Sequence, residues 1–167
     1  MVNIYGIYQE DCQDGCFSAI VLKMAIPNII LRPLRYEEFD NFPISFKKED
    51  IIYFADICPK PEFLFDLEMK NIKWTVIDHH VGACNSITEF KKKNPECLFE
   101  NYFYYPNKCG ATACWDFFFK NKKIPEILKF VEITDTWKWN EDKNSKFVAL
   151  YMVAMCEGGN FNDFFGI

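Results

Sequence analysis

The chain lacks a strong basic character. Its 167 residues carry 19 Lys and Arg against 24 Asp and Glu, a formal net charge of −5. A protein that tracks the nucleic-acid backbone normally presents a basic surface. Long duplexes bound without sequence preference are therefore not expected as a partner. The short basic runs Lys91-Lys92-Lys93 and Lys120 to Lys123 read as solvated helix ends and loops. Long apolar stretches are missing too. None reaches the about 20 residues that a membrane helix needs, so a soluble protein with no membrane partner is expected. Eight cysteines are present, yet no CxxC pair occurs. Cys12 and Cys16, four apart, could clip a metal, but ordinary buried or partly buried thiols are the preferred reading. Met1 to Tyr5 leads straight into a strand-like run without a secretory leader, so the thiols are expected to be reduced and the protein intracellular and cytoplasmic. No activated nucleophile stands out. Cys12 and Cys16 flank Asp14, and thiols beside carboxylates have raised pKa values. Histidine is scarce, with two residues in the chain, His79 and His80, side by side.

What is present fits one domain over residues 1–167. Half the residues are hydrophobic, enough for a sizeable core without covalent staples. Residues 2–8 are β-branched and aromatic and read as a buried strand. An apolar helix over 16–24 follows, then a second strand over 28–36 broken by Pro33. Asp40 to Glu49 reads as a loop. Residues 51–57 form a strong strand stopped by Pro59 and Pro61, with Pro61 in the first turn of a helix over 62–69. A strand over 73–78, a helix over about 84–93 and a final strand over 97–104 come next. Helices are expected at about 110–120, 125–138 and 145–156, followed by an aromatic tail from Phe161 to Phe165. Alternation of strand and helix predicts an α/β fold. The sheet should be mainly parallel and Rossmann-like, with helices on both faces and a helical C-terminal third.

Three acids share one kind of position. Asp14 follows the first strand, Asp56 ends the third and Asp78 ends the fourth. In open α/β sheets ligands bind outside the carboxyl ends of the strands, so all three are directed to one crevice. Acids gathered there repel one another unless a cation lies among them, and a hard divalent ion suits carboxylate oxygens. His79 and His80 follow Asp78 directly. Imidazole suits manganese, iron or zinc, which makes this pair a candidate for metal or phosphate. Asp135, in an aromatic-rich helix, needs a partner if it is buried.

These residues carry a resemblance. Asp78-His79-His80, preceded by the apolar run Trp74 to Ile77, resembles the signature of the DHH phosphoesterase superfamily, which includes RecJ-type exonucleases, short-oligonucleotide and cyclic-dinucleotide phosphodiesterases and manganese-dependent pyrophosphatases. Ile7 to Gly15 resembles the first motif, a strand, a His, then Asp-Gly, with Ser18 and Ala19 as the small residues that follow. Tyr53-Phe54-Ala55-Asp56 resembles the second. Cys109 to Ala113 resembles the glycine-containing helix start, and Asp135 to Trp139 the fourth motif. The likeness runs over residues 2–157.

The resemblance implies metal ligation by Asp14, Asp56, His79 and Asp135, with Asp56 bridging if there are two ions. It implies that Asp78 orients the site and that His80 meets the substrate phosphate. Gly15, Ser18 and Gly110 would serve as phosphate-binding positions. The cofactor implied is manganese, or magnesium in its place, as one or two ions. The activity implied is hydrolysis of a phosphodiester or phosphomonoester in a small nucleotide-like or short oligonucleotide substrate. Two departures stand out. Gln9 occupies the place of the first-motif histidine, so Glu10, Asp11 or Gln9 itself would have to supply the additional ligand. Few residues follow Cys156, so no separate C-terminal substrate-binding domain is expected, and a second subunit would be one way to hold the rest of the substrate. The alternative expectation is a degenerate module that binds phosphate or nucleotide without turnover.

Overall fold

The computed structural model describes residues 2–42 and 44–138. Five strands form one sheet: β1 (Ile4–Gln9), β2 (Ile30–Leu34), β3 (Ile51–Ala55), β4 (Lys73–Asp78) and β5 (Tyr102–Tyr104). Five helices accompany them: α1 (Gln13–Ala25), α2 (Pro61–Met69), α3 (Val81–Lys93), α4 (Gly110–Phe118) and α5 (Glu126–Asp135). The strand order is β2-β1-β3-β4-β5, and every pairing is parallel. This is the expected α/β class with a parallel, doubly wound sheet.

Alternation along each strand sends side chains to two cores. Ile7, Ile52, Phe54, Trp74 and Val76 pack with Leu64 and Leu67 of α2, Ile87 of α3 and Phe39. Ala55 and Ile77, one residue out of phase, pack with Phe17, Val21 and Leu22 of α1, Trp115 of α4 and Leu128 and Val131 of α5. Both faces are thus covered, which is what continuously apolar parallel strands require. Phe42 stacks near Phe63 with ring centroids 4.9 Å apart, and both lie against the fully buried Phe54. The aromatic abundance of the chain therefore serves the packing of this face.

Several boundaries moved. Asp56 and Ile57, expected to end the third strand, lie beyond it, because Asp56 turns into the left-handed region at φ 60°. The second strand ends at Leu34 rather than at residue 36, and a 3-10 helix over Tyr36–Asn41 takes the place of the first part of the expected loop. Arg35 starts that turn, since its N–H donates to Glu38 Oε2 at 2.8 Å. Pro33 is tolerated because β2 is an edge strand. The final strand is three residues, not eight. α3 begins at Val81, immediately after His80. α4 and α5 account for the described part of the helical C-terminal third, while the helix expected at 145–156 and the aromatic tail lie outside the described residues. No helix among the described residues is long and apolar enough to cross a membrane.

Candidate metal centre

The chain reverses its winding direction between β1 and β3, and the crevice at such a switch point is where doubly wound sheets take ligands. The register places Tyr8 beside Ala55 and Ala55 beside Ile77, so three neighbouring strands end at one level. Asp14, in the first turn of α1, Asp56, directly after β3, and Asp78, the last residue of β4, are all delivered to this edge. Each is at most 1% exposed.

Close backbone approach fixes two of them. A Cβ at Gly110 would lie 2.5 Å from Asp56 Cβ, so only glycine lets α4 come up to this aspartate. A Cβ at Gly15 would lie 2.3 Å from the carbonyl oxygen of Gln9, so glycine is also needed where α1 folds back on β1. Asp14 in turn accepts hydrogen bonds from the first amides of α4, Gly110 N–H at Oδ2 and Ala111 N–H at Oδ1, the latter at 2.8 Å. A carboxylate at a helix N-terminus is favoured by the orphan amides and the dipole there.

Around this frame the imidazole of His79 collects three aspartates. Its Nε2 lies 3.1 Å from Asp56 Oδ1, 3.5 Å from Asp14 Oδ2 and 3.6 Å from Asp135 Oδ2. Asp135 arrives on the last turn of α5. That helix is tied to α4 because the Thr112 hydroxyl donates to the Glu132 carboxylate, and Glu132 lies three residues, about one turn, before Asp135. The donor atoms of Asp14, His79 and Asp135 all lie within 4.8 Å of one another, as do those of Asp56, His79 and His80.

A single imidazole nitrogen cannot offset three carboxylates. Burial, with the nearby Asp56 and Asp135 carboxylates, holds Asp14 well above the usual aspartate range, although the α4 amides pull the other way. Burial pushes Asp56 up to about 7. Its Oδ2 is buried with no hydrogen-bond partner among the described residues. Crowded acids and an orphaned carboxylate oxygen are what a divalent cation would relieve. Three carboxylates and one imidazole suit manganese and accept magnesium, so the residues fit the ion expected from the sequence.

His80 has a different setting. Its Nδ1 lies 2.7 Å from Asp78 Oδ1, and this hydrogen bond, working against desolvation, pushes the imidazole up to about 9. The ring of Tyr36 stands edge-on to it, with centroids 6.3 Å apart and an interplanar angle of 83°. His80 is the half-exposed member of the group, with 37% of its side chain accessible.

The other candidates lie apart from this cluster. Glu10 and Asp11 pair with Arg35, Oε2 to Nε at 2.8 Å and Oδ2 to Nη2 at 2.7 Å, on the exposed rim. They do not turn in beside Gln9 to supply the additional ligand expected of them. Gln9 Oε1 is buried without a hydrogen-bond partner among the described residues. Gly110 is engaged with Asp14 through its amide, and Ser18 is 0% exposed inside the α1 packing, so neither offers the crevice the group expected of it. Cys12, the residue before α1, has its thiol raised by burial and by the Asp56 and Asp14 carboxylates, which bears against a nucleophilic role. None of the seven described cysteines is in a disulfide.

Sequence reasoning missed Arg35 and Tyr36. Both follow a strand end at the carboxyl edge of the sheet, the same signal that picked out Asp14 and Asp56. Extending the second strand to residue 36 concealed them.

The fold and the site together define an all-parallel α/β domain with an Asp-rich, histidine-centred crevice at its switch point. No family model matches the chain. It is 23% identical over 159 residues to an uncharacterized protein of Acanthamoeba polyphaga mimivirus, an alignment that covers 87% of this chain and 36% of that protein. A crystal structure of an uncharacterized protein from Helicobacter pylori G27 superposes with a TM-score of 0.63 at 20% identity, covering 93% of this chain and 49% of that one. The chain spans about a third of the viral relative and about half of the bacterial one. At this identity the bacterial structure establishes likeness of fold alone.

Proposed function

We propose that the chain is a divalent-metal-dependent phosphoesterase domain of the DHH type, acting on a phosphodiester or phosphomonoester of a small nucleotide-like or short oligonucleotide substrate. The observation that carries this reading is the convergence of Asp14, Asp56 and Asp135 on His79 Nε2, at the switch point of a parallel sheet. These four residues would hold manganese, or magnesium in its place. When bound, the ion supplies Lewis acidity to the attacking water and to the phosphoryl oxygens.

The remaining work belongs to the chain's own groups. Asp78, fully buried, fixes the orientation of His80 and keeps a proton on its imidazole. His80, half exposed beside Tyr36, then offers a donor to a phosphate oxygen as negative charge develops. Phosphoryl transfer depends on positioning and charge stabilisation, so no Ser or Cys nucleophile is needed. The seven described thiols, none in a disulfide, support an intracellular, cytoplasmic setting. Pairing of two copies would be one way to hold the rest of a substrate that this domain leaves uncovered.

The experiment is hydrolysis of bis(p-nitrophenyl) phosphate and p-nitrophenyl phosphate by the purified chain with and without Mn²⁺. Manganese-dependent turnover that disappears in Asp56→Ala and His79→Ala supports the reading. Turnover that survives both substitutions removes it. A second reading is favoured by the β1 side of the crevice, where Glu10 and Asp11 are held by Arg35 and Gln9 stands in the place of a histidine. It is a module that binds phosphate or nucleotide without cleaving it. Tight binding of a nucleoside phosphate with no turnover in manganese would select it.

A further inference from the structure

Two donor groups lie in the crevice, Asp14–His79–Asp135 and Asp56–His79–His80, and both rely on His79. Among the described residues, the nitrogen of that ring that meets carboxylates is Nε2. An imidazole nitrogen has one in-plane lone pair, so it ligates one ion at a time. The two groups are therefore competing positions for a single ion and cannot be filled together through His79. Without His79, the second group keeps only two donors, Asp56 and the Nε2 of His80, since His80 Nδ1 is engaged with Asp78.

Beyond Asp14, the β1 side brings no further acid to the ion among the described residues. Glu10 and Asp11 share the one Arg35 guanidinium at 2.8 and 2.7 Å on the rim, and what faces inward is the neutral amide of Gln9. An amide oxygen is a weak donor to a transition ion beside carboxylates and imidazole. Charge decides between the two positions. The first brings the Asp14 and Asp135 carboxylates to the ion and has Asp56 Oδ1 within 3.1 Å of the same nitrogen, whereas the second brings one carboxylate. Asp56 also keeps its buried Oδ2 unpartnered among the described residues.

Resting on the metal-dependent reading above, we propose that this crevice is a one-ion centre. The cation is held by Asp14, Asp56, His79 and Asp135, and His80 stays off the ion, free for an anionic ligand beside Tyr36.

The test is Mn²⁺ titration of the metal-free chain by calorimetry, with electron paramagnetic resonance of the loaded protein. One ion per chain is expected, with the hyperfine-split signal of an isolated manganese. His80→Ala should leave the stoichiometry and the signal in place. Asp135→Asn should weaken binding on the order of 10-fold or more, since even groups one step removed from a metal cost that much. Two ions per chain, or an exchange-coupled signal, would overturn the one-ion assignment while leaving the metal-dependent reading intact. Loss of the ion in His80→Ala, or unchanged affinity in Asp135→Asn, would overturn its position. Absence of any manganese binding would remove both readings together. Circular dichroism of each variant keeps a folding defect separate from a lost ligand, and both substituted side chains are partly exposed.

Discussion

The two banks of the crevice treat their acids in opposite ways. On the β3–β4 bank Asp56 and Asp78 are buried, and each meets an imidazole, His79 at 3.1 Å and His80 at 2.7 Å. On the β1–β2 bank Asp11 is exposed, Glu10 is partly exposed, and both meet a guanidinium that is itself half in water. The first arrangement stores unfavourable charge, because imidazoles only partly offset buried carboxylates. The second stores almost none, since exposed ion pairs are screened and add little to stability. Acidic residues crowd this edge on both sides, and burial decides which of them are chemically committed.

The contrast is tested most severely at Asp56. Replacement by Asn keeps the shape and removes the charge. Manganese affinity is expected to fall on the order of 100-fold or more, beyond the loss typical of groups that merely support a ligand. The metal-free protein should meanwhile melt higher than the parent, because a desolvated carboxylate with an unpartnered oxygen is gone. Calorimetric titration and thermal unfolding read the two effects separately. A variant that loses both the ion and thermal stability would mean that Asp56 is a structural acid.

Asp78 comes next. It touches His80 and no other imidazole among the described residues, so Asp78→Asn should leave manganese stoichiometry unchanged. Hydrolysis of a model phosphodiester should fall about 10–100-fold, the usual cost of losing a group that orients a working side chain. Equal losses of ion and activity would merge the roles of the two histidines.

Much of the β3–β4 bank was legible beforehand, and for a physical reason. Apolar runs with sharp ends mark buried parallel strands, and an acid at such an end has little choice of direction. Asp56, Asp78, His79 and His80 follow that logic within a residue. Asp14 needed only the glycine after it. The β1–β2 bank was harder to read. Whether Glu10 and Asp11 turn inward depends on Arg35, a partner 24 or more positions away that sequence adjacency does not reveal. Gly110 was legible as a helix start, but its true constraint, the 2.5 Å approach to Asp56, is a tertiary fact. Ser18, chosen as a small residue near a phosphate, instead fills a packed interface.

A smaller effect separates the banks by pH in the metal-free protein. Asp56 is raised to about 7, and Asp14 is raised as well, from an ordinary aspartate value of 3.8. Between those values the folded state holds more protons than the unfolded chain, so stability falls as pH rises through the window. His80 is raised to about 9 from 6.5, so its contribution is complete below 6.5 and fades as pH climbs towards 9. Both slopes have the same sign. The unfolding midpoint should decline steadily from mildly acidic to mildly alkaline pH, and saturating manganese should flatten the aspartate part. Thermal melts across that range check it, and a midpoint that climbs with pH would contradict the charge accounting on the β3–β4 bank.

The smallest effect is expected at Arg35. Its pairs with Glu10 and Asp11 lie in water, so Arg35→Ala should leave the unfolding midpoint within the scatter of replicate melts. Its informative consequence is electrostatic. Two carboxylates freed beside Gln9 make the crevice mouth more negative, which favours an arriving cation and opposes an arriving phosphate. Manganese affinity should then rise modestly, orthophosphate affinity of the loaded protein should drop modestly, and both changes should shrink as salt is added. A large loss of manganese affinity in Arg35→Ala would show that the rim shapes the ion's position, and the two banks would then have to be treated as one unit.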